Sequence, residues 1–188
     1  MIAAYLRDRF RPAVFVPVAT AIAAAASAGR PGALRLAADV GFALLLLAEF
    51  RIRDDLADRD NDAISHPQRV MVRAASVTPF QLLAGSLAAA NVLICTVRSG
   101  AWIAVPALLA LHATLAALYS GRTRRTFAGD QLLLAKYPAF VLILAASRVL
   151  ESPLPIAVAA GLVYAAASLY EAWHDPASPA AALIGGRS

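Results

Sequence analysis

Six stretches of this chain, near 12–29, 34–52, 79–98, 101–120, 131–150 and 153–172, are long and apolar enough to cross a lipid bilayer. A spanning helix needs about 20 mostly apolar residues, and no other feature narrows the fold so far. Composition agrees: of 188 residues 60% are hydrophobic and 15% charged, against about 25% charged in soluble domains. A soluble domain of this size has too little interior to hide that much apolar surface. The expected fold is therefore all-α, a polytopic membrane bundle of about six transmembrane helices. The runs take up most of the sequence, so residues 1–188 read as a single transmembrane domain with no linker or second unit.

The breaks carry turn chemistry. Gly29-Arg30-Pro31-Gly32, Arg98-Ser99-Gly100 and Glu151-Ser152-Pro153 read as tight turns, while 51–78, 121–130 and the C-terminal tail are longer and polar. An even number of spans puts both termini on the side of those polar loops. Arginine usage then orients the bundle, because short cytoplasmic loops are enriched in Lys and Arg. Arg7, Arg9, Arg11, Arg51, Arg53, Arg59, Arg69, Arg73, Arg122, Arg124, Arg125 and Arg187 fall on one side, against Arg30, Arg35, Arg98 and Arg148 on the other. The first side, with both termini, is expected to be cytoplasmic, as in a bacterial-type inner membrane. The net charge of +5 then reflects orientation and anionic headgroups. No soluble basic face or aromatic platform accompanies it, which argues against nucleic acid.

The first run resembles a signal peptide ending in Ala26-Ser27-Ala28 and is read here as the first span. Cys95, the only cysteine, lies within a span and is read as a packing residue. Lys136 sits inside the fifth span, where a charge costs about 2.5–3.5 kcal/mol on insertion scales; phosphate binding and snorkelling both remain open for it. Asp39 inside the second span is expected to pair with Arg35 one turn away. His112 is read as an interhelical hydrogen-bonding residue. His66 and His174 lack the Cys and His company of a zinc site.

The chemistry concentrates in Asp54-Asp55-Leu56-Ala57-Asp58-Arg59-Asp60-Asn61-Asp62, at the polar end of the second run. On a helix, Asp55, Asp58 and Asp62 at i, i+3 and i+7 stack three carboxylates on one face, and Asp54 joins Asp58 at i, i+4. Like charges at that spacing repel, so something positive is expected between them. Hard cations such as Mg²⁺ take carboxylate oxygens and keep positions open for phosphates. The plainer reading is a solvated acidic loop whose aspartates pair with Arg51, Arg53 and Arg59.

These residues resemble the first motif of the UbiA-type membrane prenyltransferases, which include the chlorophyll and quinone branches: Asn-Asp-x-x-Asp-x-x-x-Asp at the cytoplasmic end of the second helix. Asp55, Asp58 and Asp62 match it, with Asp54 in place of the Asn. The continuation through His66-Pro67-Gln68-Arg69-Val70 keeps Arg69 of the usual Arg-Pro pair and has Val70 for the Pro. Tyr119-Ser120 with Arg122, Arg124 and Arg125 is similar to the family's Tyr-Ser and basic loop. Glu171 and Asp175 stand where its second acidic motif closes the sixth helix. The family usually has nine spans and two or three aspartates there. A six-span chain implies a shorter pocket, one completed by a second subunit or a larger membrane assembly, or lost catalysis.

The resemblance implies Mg²⁺-dependent transfer of a prenyl group from a prenyl diphosphate to an aromatic or other lipophilic acceptor. Asp54, Asp55, Asp58, Asp62, Glu171 and Asp175 would be the metal ligands, with Asp55, Asp58 and Asp62 the catalytic carboxylates. Arg69, Arg122, Arg124, Arg125, Lys136 and Tyr119 would bind substrate. The lipid-embedded bundle would house the prenyl chain. The alternative is a non-catalytic UbiA-like membrane subunit that binds lipid, pigment or isoprenoid in a larger assembly. Two other enzyme classes fit less well. Soluble isoprenyl diphosphate synthases share Asp-Asp-x-x-Asp but not the spans, and CDP-alcohol phosphotransferases need an Asp-Gly start and a later Gly that are missing near Asp54 to Asp62.

Overall fold

The computed structural model describes residues 1–29, 31–121, 126–175 and 178–181. Among the described residues there is no strand, and ten α-helices follow one another along the chain. They are α1 (Ile2–Arg9), α2 (Pro12–Ser27), α3 (Ala33–Ala57), α4 (Arg59–Ser65), α5 (Thr78–Val97), α6 (Ala101–Gly121), α7 (Phe127–Leu134), α8 (Lys136–Ala145), α9 (Arg148–Glu151) and α10 (Pro153–His174).

Local chemistry sets many of the boundaries. Prolines open α2, α5 and α10, where the missing N–H is one the helix would leave unbonded anyway. Ala28, left-handed at φ 52°, closes α2. Asp58, at φ −91° and ψ 5°, breaks α3 from α4. The path stays nearly helical, because the Asp58 N–H donates to the Asp54 carbonyl at 2.9 Å and the Asp62 N–H to the Asp58 carbonyl at 2.8 Å. Ala146, at φ 48°, ends α8.

Four helical stretches are long and apolar enough to cross a membrane: Thr78–Val97, Ala101–Gly121, Phe127–Ala145 and Pro153–His174. A fifth is added if α1 and α2, bent by 69° at their junction, are counted as one. The sequence leads to an expectation of six. α3 is the longest helix, but Arg35, Asp39 and Glu49 interrupt its apolar length. The outward faces are those of a membrane protein. On α10, Leu154, Val158, Leu162 and Leu169 are all exposed, an apolar stripe that suits lipid tails.

Two helices organise the interior. α3 packs on α2, α5 and α8, and α8 also packs on α2, α6 and α10. The main core draws on Ile22, Leu46, Phe50, Leu108, Phe140 and Ile156. A smaller cluster at the polar end of α3 joins Tyr5, Ile52, Met71 and Phe80. There the Tyr5 and Phe80 rings meet edge to face at 5.2 Å.

The α5–α6 turn depends on Gly100. Its φ is +84°, and a Cβ there would lie 2.4 Å from the Ser147 backbone nitrogen. The Gly100→Ala variant therefore meets both a left-handed backbone and a backbone clash. It is expected to lose about 2–3 kcal/mol, read as a lower unfolding midpoint in detergent micelles.

Candidate functional site

Adjacent residues at the end of α3 project in different directions. Asp54 turns into the bundle, where its two carboxylate oxygens accept from the Tyr119 hydroxyl on α6 and from the Lys136 ammonium at the start of α8. Three helices thus meet at one carboxylate. The Lys136 ammonium also lies 5.7 Å from the centre of the Tyr137 ring. A cavity of about 40 Å³, with Arg51, Asp54, Lys136 and Tyr137 among its walls, opens beside them. Tyr137 is within electrostatic reach of both Asp54 and Glu171, so α10 brings its acidic end toward the same corner.

Asp55 faces the other way, onto α1. Its carboxylate accepts from the Tyr5 hydroxyl at 2.7 Å and from Arg9 through Nε at 3.0 Å and Nη2 at 2.7 Å. Arg51 stands 3.3 Å away. Burial pushes the Asp55 carboxyl up, but the Arg9 hydrogen bonds, the charges of Arg51 and Arg9 and the Tyr5 hydroxyl outweigh it and hold the group below the usual Asp range. The sign follows from linkage: a carboxyl lowered in the folded state contributes stability above the unfolded value and loses it as pH falls through the folded one. The stability difference between the wild type and Asp55→Asn is therefore expected to be flat above about pH 5 and to shrink below about pH 4. Unfolding titrations of both proteins at several pH values check this.

Asp62 pairs with Arg69, and the His66 Nδ1 lies 3.9 Å from it. Asp58, Glu171 and Asp175 also carry polar interactions. Arg122, Arg124 and Arg125, expected to bind substrate, lie outside the described residues. Asp54, Tyr119 and Lys136 are thus brought together, as are Asp62 and Arg69. Asp55 is drawn instead to Tyr5 and Arg9. Sequence reasoning missed both of those, because α1 is a short amphipathic segment with no motif to mark it. Of the arginines expected to neutralise the acidic segment, Arg51 does stand beside Asp55, but Arg53 goes to Glu49.

Two further ion clusters lie along α3. Asp39, fully buried, pairs with Arg98 and, at 3.5 Å, with Arg148. This replaces the expected Arg35 partner, which sits on the exposed side of α3 while Asp39 faces inward. Nearer the acidic end, Glu49 is also fully buried. It accepts from Arg53 Nε at 2.7 Å, Asn91 Nδ2 at 2.8 Å and His112 Nε2 at 2.6 Å, which makes His112 an interhelical bonding residue.

The aspartates suit a hard cation in kind, since carboxylate oxygens are what Mg²⁺ takes. They do not suit it in arrangement. Among the described residues no three acidic, His or Cys side chains come together as a metal-holding group, and arginines already occupy Asp55 and Asp62. Comparisons of the chain with protein families, with curated proteins and with solved structures gave no match.

Proposed function

We propose that this chain is a six-span, UbiA-like membrane prenyltransferase that passes a prenyl group from a prenyl diphosphate to an aromatic or other lipophilic acceptor. In this reading the acidic segment and both termini face the cytoplasm. The observation that supports it is the meeting of Asp54, Tyr119 and Lys136 from three helices, beside a cavity, at the polar end of an apolar bundle. A buried ion pair adds little to stability compared with apolar packing. Such a cluster is better explained as machinery for a charged group.

The chemistry then follows from charge. An allylic diphosphate ionises when its leaving group is neutralised and the carbocation is kept from water. Lys136 and Arg51 supply positive charge at the cavity, and Arg69 supplies a planar donor near Asp62. The cavity of about 40 Å³ holds only a few waters. Donor binding therefore requires the Lys136–Asp54 pair to open and hand the ammonium to phosphate oxygens. Asp55, Asp58, Asp62, Glu171 and Asp175 would be the carboxylates that serve Mg²⁺. As they stand they do not form a site for it, with Arg9 on Asp55 and Arg69 on Asp62.

The test uses protein purified into lipid nanodiscs with labelled prenyl diphosphates of several lengths and acceptor extracts, with and without Mg²⁺. Asp58→Ala and Asp62→Ala are each expected to abolish diphosphate release, and full turnover in both variants would overturn the carboxylate role. One observation favours the second reading, a non-catalytic subunit that binds lipid, pigment or isoprenoid. The ion pairs at Asp54, Asp55 and Asp62 already balance their charge without any ligand. Under that reading the wild type binds an isoprenoid but releases no diphosphate from any donor tried.

A further inference from the structure

The end of the bundle opposite the acidic segment gathers a surplus of positive charge. Asp39 and Asp54 both belong to α3 and lie roughly 22 Å apart along its axis. Asp39 is fully buried, and Arg98 and Arg148 reach it from two other segments. Turn packing explains why they meet. Gly100 lies against Ala146 and Ser147, so the α5–α6 turn touches the break after α8, and the arginines flanking the two come side by side. Arg35, exposed one turn before Asp39, lies within electrostatic reach of Arg148. Three guanidinium groups thus surround one buried carboxylate. Glu151, the other acidic residue at this end, is exposed, and even with it the balance stays positive.

Neutralising Asp39 does not use these arginines up. Arg98 donates through Nη2 to Asp39 and, at 3.5 Å, to the Leu144 carbonyl. Arg148 donates through Nη2 to the Leu144 carbonyl at 2.7 Å and to Asp39 at 3.5 Å, and through Nε to the Ala145 carbonyl at 3.2 Å. Those bonds hold both side chains in place. Arg98 Nε and Nη1 and Arg148 Nη1 make no hydrogen bond among the described residues, and the two side chains remain 21% and 12% exposed. Planar guanidinium donors held in this way suit the oxygens of a phosphate.

The surroundings select the kind of phosphate. Leu34, Trp102, Leu150 and Leu154, close in the chain to these arginines, are all exposed. Such side chains suit acyl chains, and an exposed tryptophan at a helix end is a usual marker of the membrane–water boundary. A lipid headgroup carries its phosphate at that boundary, whereas a free phosphate would leave the apolar rim unused. Surplus positive charge also repels the ammonium of a zwitterionic headgroup. We propose that Arg35, Arg98 and Arg148 bind the phosphate of an anionic phospholipid, of the phosphatidylglycerol type, in the leaflet opposite the acidic segment. This site lies at the other end of the bundle from the diphosphate reading and does not depend on it.

The test titrates the full chain in detergent micelles with phosphatidylglycerol or with phosphatidylcholine of the same acyl chains, and counts the lipids retained by native mass spectrometry. The first phosphatidylglycerol is expected to bind on the order of ten-fold tighter than the first phosphatidylcholine or more, since each basic side chain near a headgroup is worth about five-fold. Arg35→Gln should cut that preference about five-fold, and Arg148→Gln should bring it near one. Arg73→Gln, an equal loss of charge from an exposed position beyond α4, should leave it unchanged. Inorganic phosphate in excess should not displace the lipid. If Arg148→Gln fails to fold, Arg35→Gln decides the matter, because Arg35 is exposed and is not paired with Asp39. Equal binding of the two lipids to the wild type, an undiminished preference in Arg35→Gln, an equal loss in Arg73→Gln, or displacement by inorganic phosphate would each overturn the proposal.

Discussion

Replacing Lys136 by methionine is expected to lower diphosphate release by roughly 10²–10³-fold, the usual loss when one preorganised charge is withdrawn from a developing anion. The ammonium lies beside the cavity that Arg51 and Tyr137 also line, and Asp54 holds it there until the donor arrives. Methionine keeps most of the side chain's length and removes only the charge. The loss should appear in kcat rather than KM if the ammonium acts mainly on the leaving group. The same substitution also strips Asp54 of a counter-charge, which alone would destabilise the corner. The Asp54→Asn, Lys136→Met double variant separates the two effects. It removes both charges together, so stability should recover while diphosphate release stays low. Recovery of activity along with stability would make Lys136 a purely structural cation, and the donor site would have to be sought elsewhere.

The fold was legible where lipid dictates it and less so where hydrogen bonding does. Apolar runs near 79–98, 101–120 and 153–172 correspond to α5, α6 and α10 within a few residues, because lipid-facing length is written directly in composition. The second run fades near 52, yet α3 continues to Ala57, since backbone hydrogen bonding carries a helix past its apolar stretch. The run near 131–150 spans the break at Ala146 that ends α8. The left-handed backbone there falls on a residue type that gives no warning of it.

The candidate site divides in the same way. Lys136 and Asp54 stood out as charges in or beside apolar sequence, and they meet. Asp39 stood out too, but its partners Arg98 and Arg148 are 59 and 109 positions away, so only the packing of three segments could select them over nearby Arg35. Arg9 sits 46 positions before Asp55, in a segment whose neighbours gave no reason to look there.

Glu49→Leu is expected to be the most destabilising single change in the bundle, at about 3–5 kcal/mol. That is the range for removing one partner of a buried ion pair. Hydrogen bonds between membrane helices average only about 0.6 kcal/mol, so three lost bonds alone would fall short of this. Charge makes up the difference. Glu49 is fully buried, and its loss leaves the partly buried Arg53 guanidinium without a counter-charge. It also orphans the Asn91 amide, whose Oδ1 already lacks a partner among the described residues, and frees the His112 ring between α3 and α6. His112→Phe should cost much less, because Glu49 keeps Arg53 and Asn91 and the phenyl ring can still stack on Phe50. Reversible unfolding of the four proteins of the Glu49→Leu, His112→Phe cycle measures this. A coupling well above that of an ordinary interhelical hydrogen bond is expected. A Glu49→Leu protein as stable as the wild type would mean that the network is solvated and that α3 and α6 are held by their apolar contacts alone.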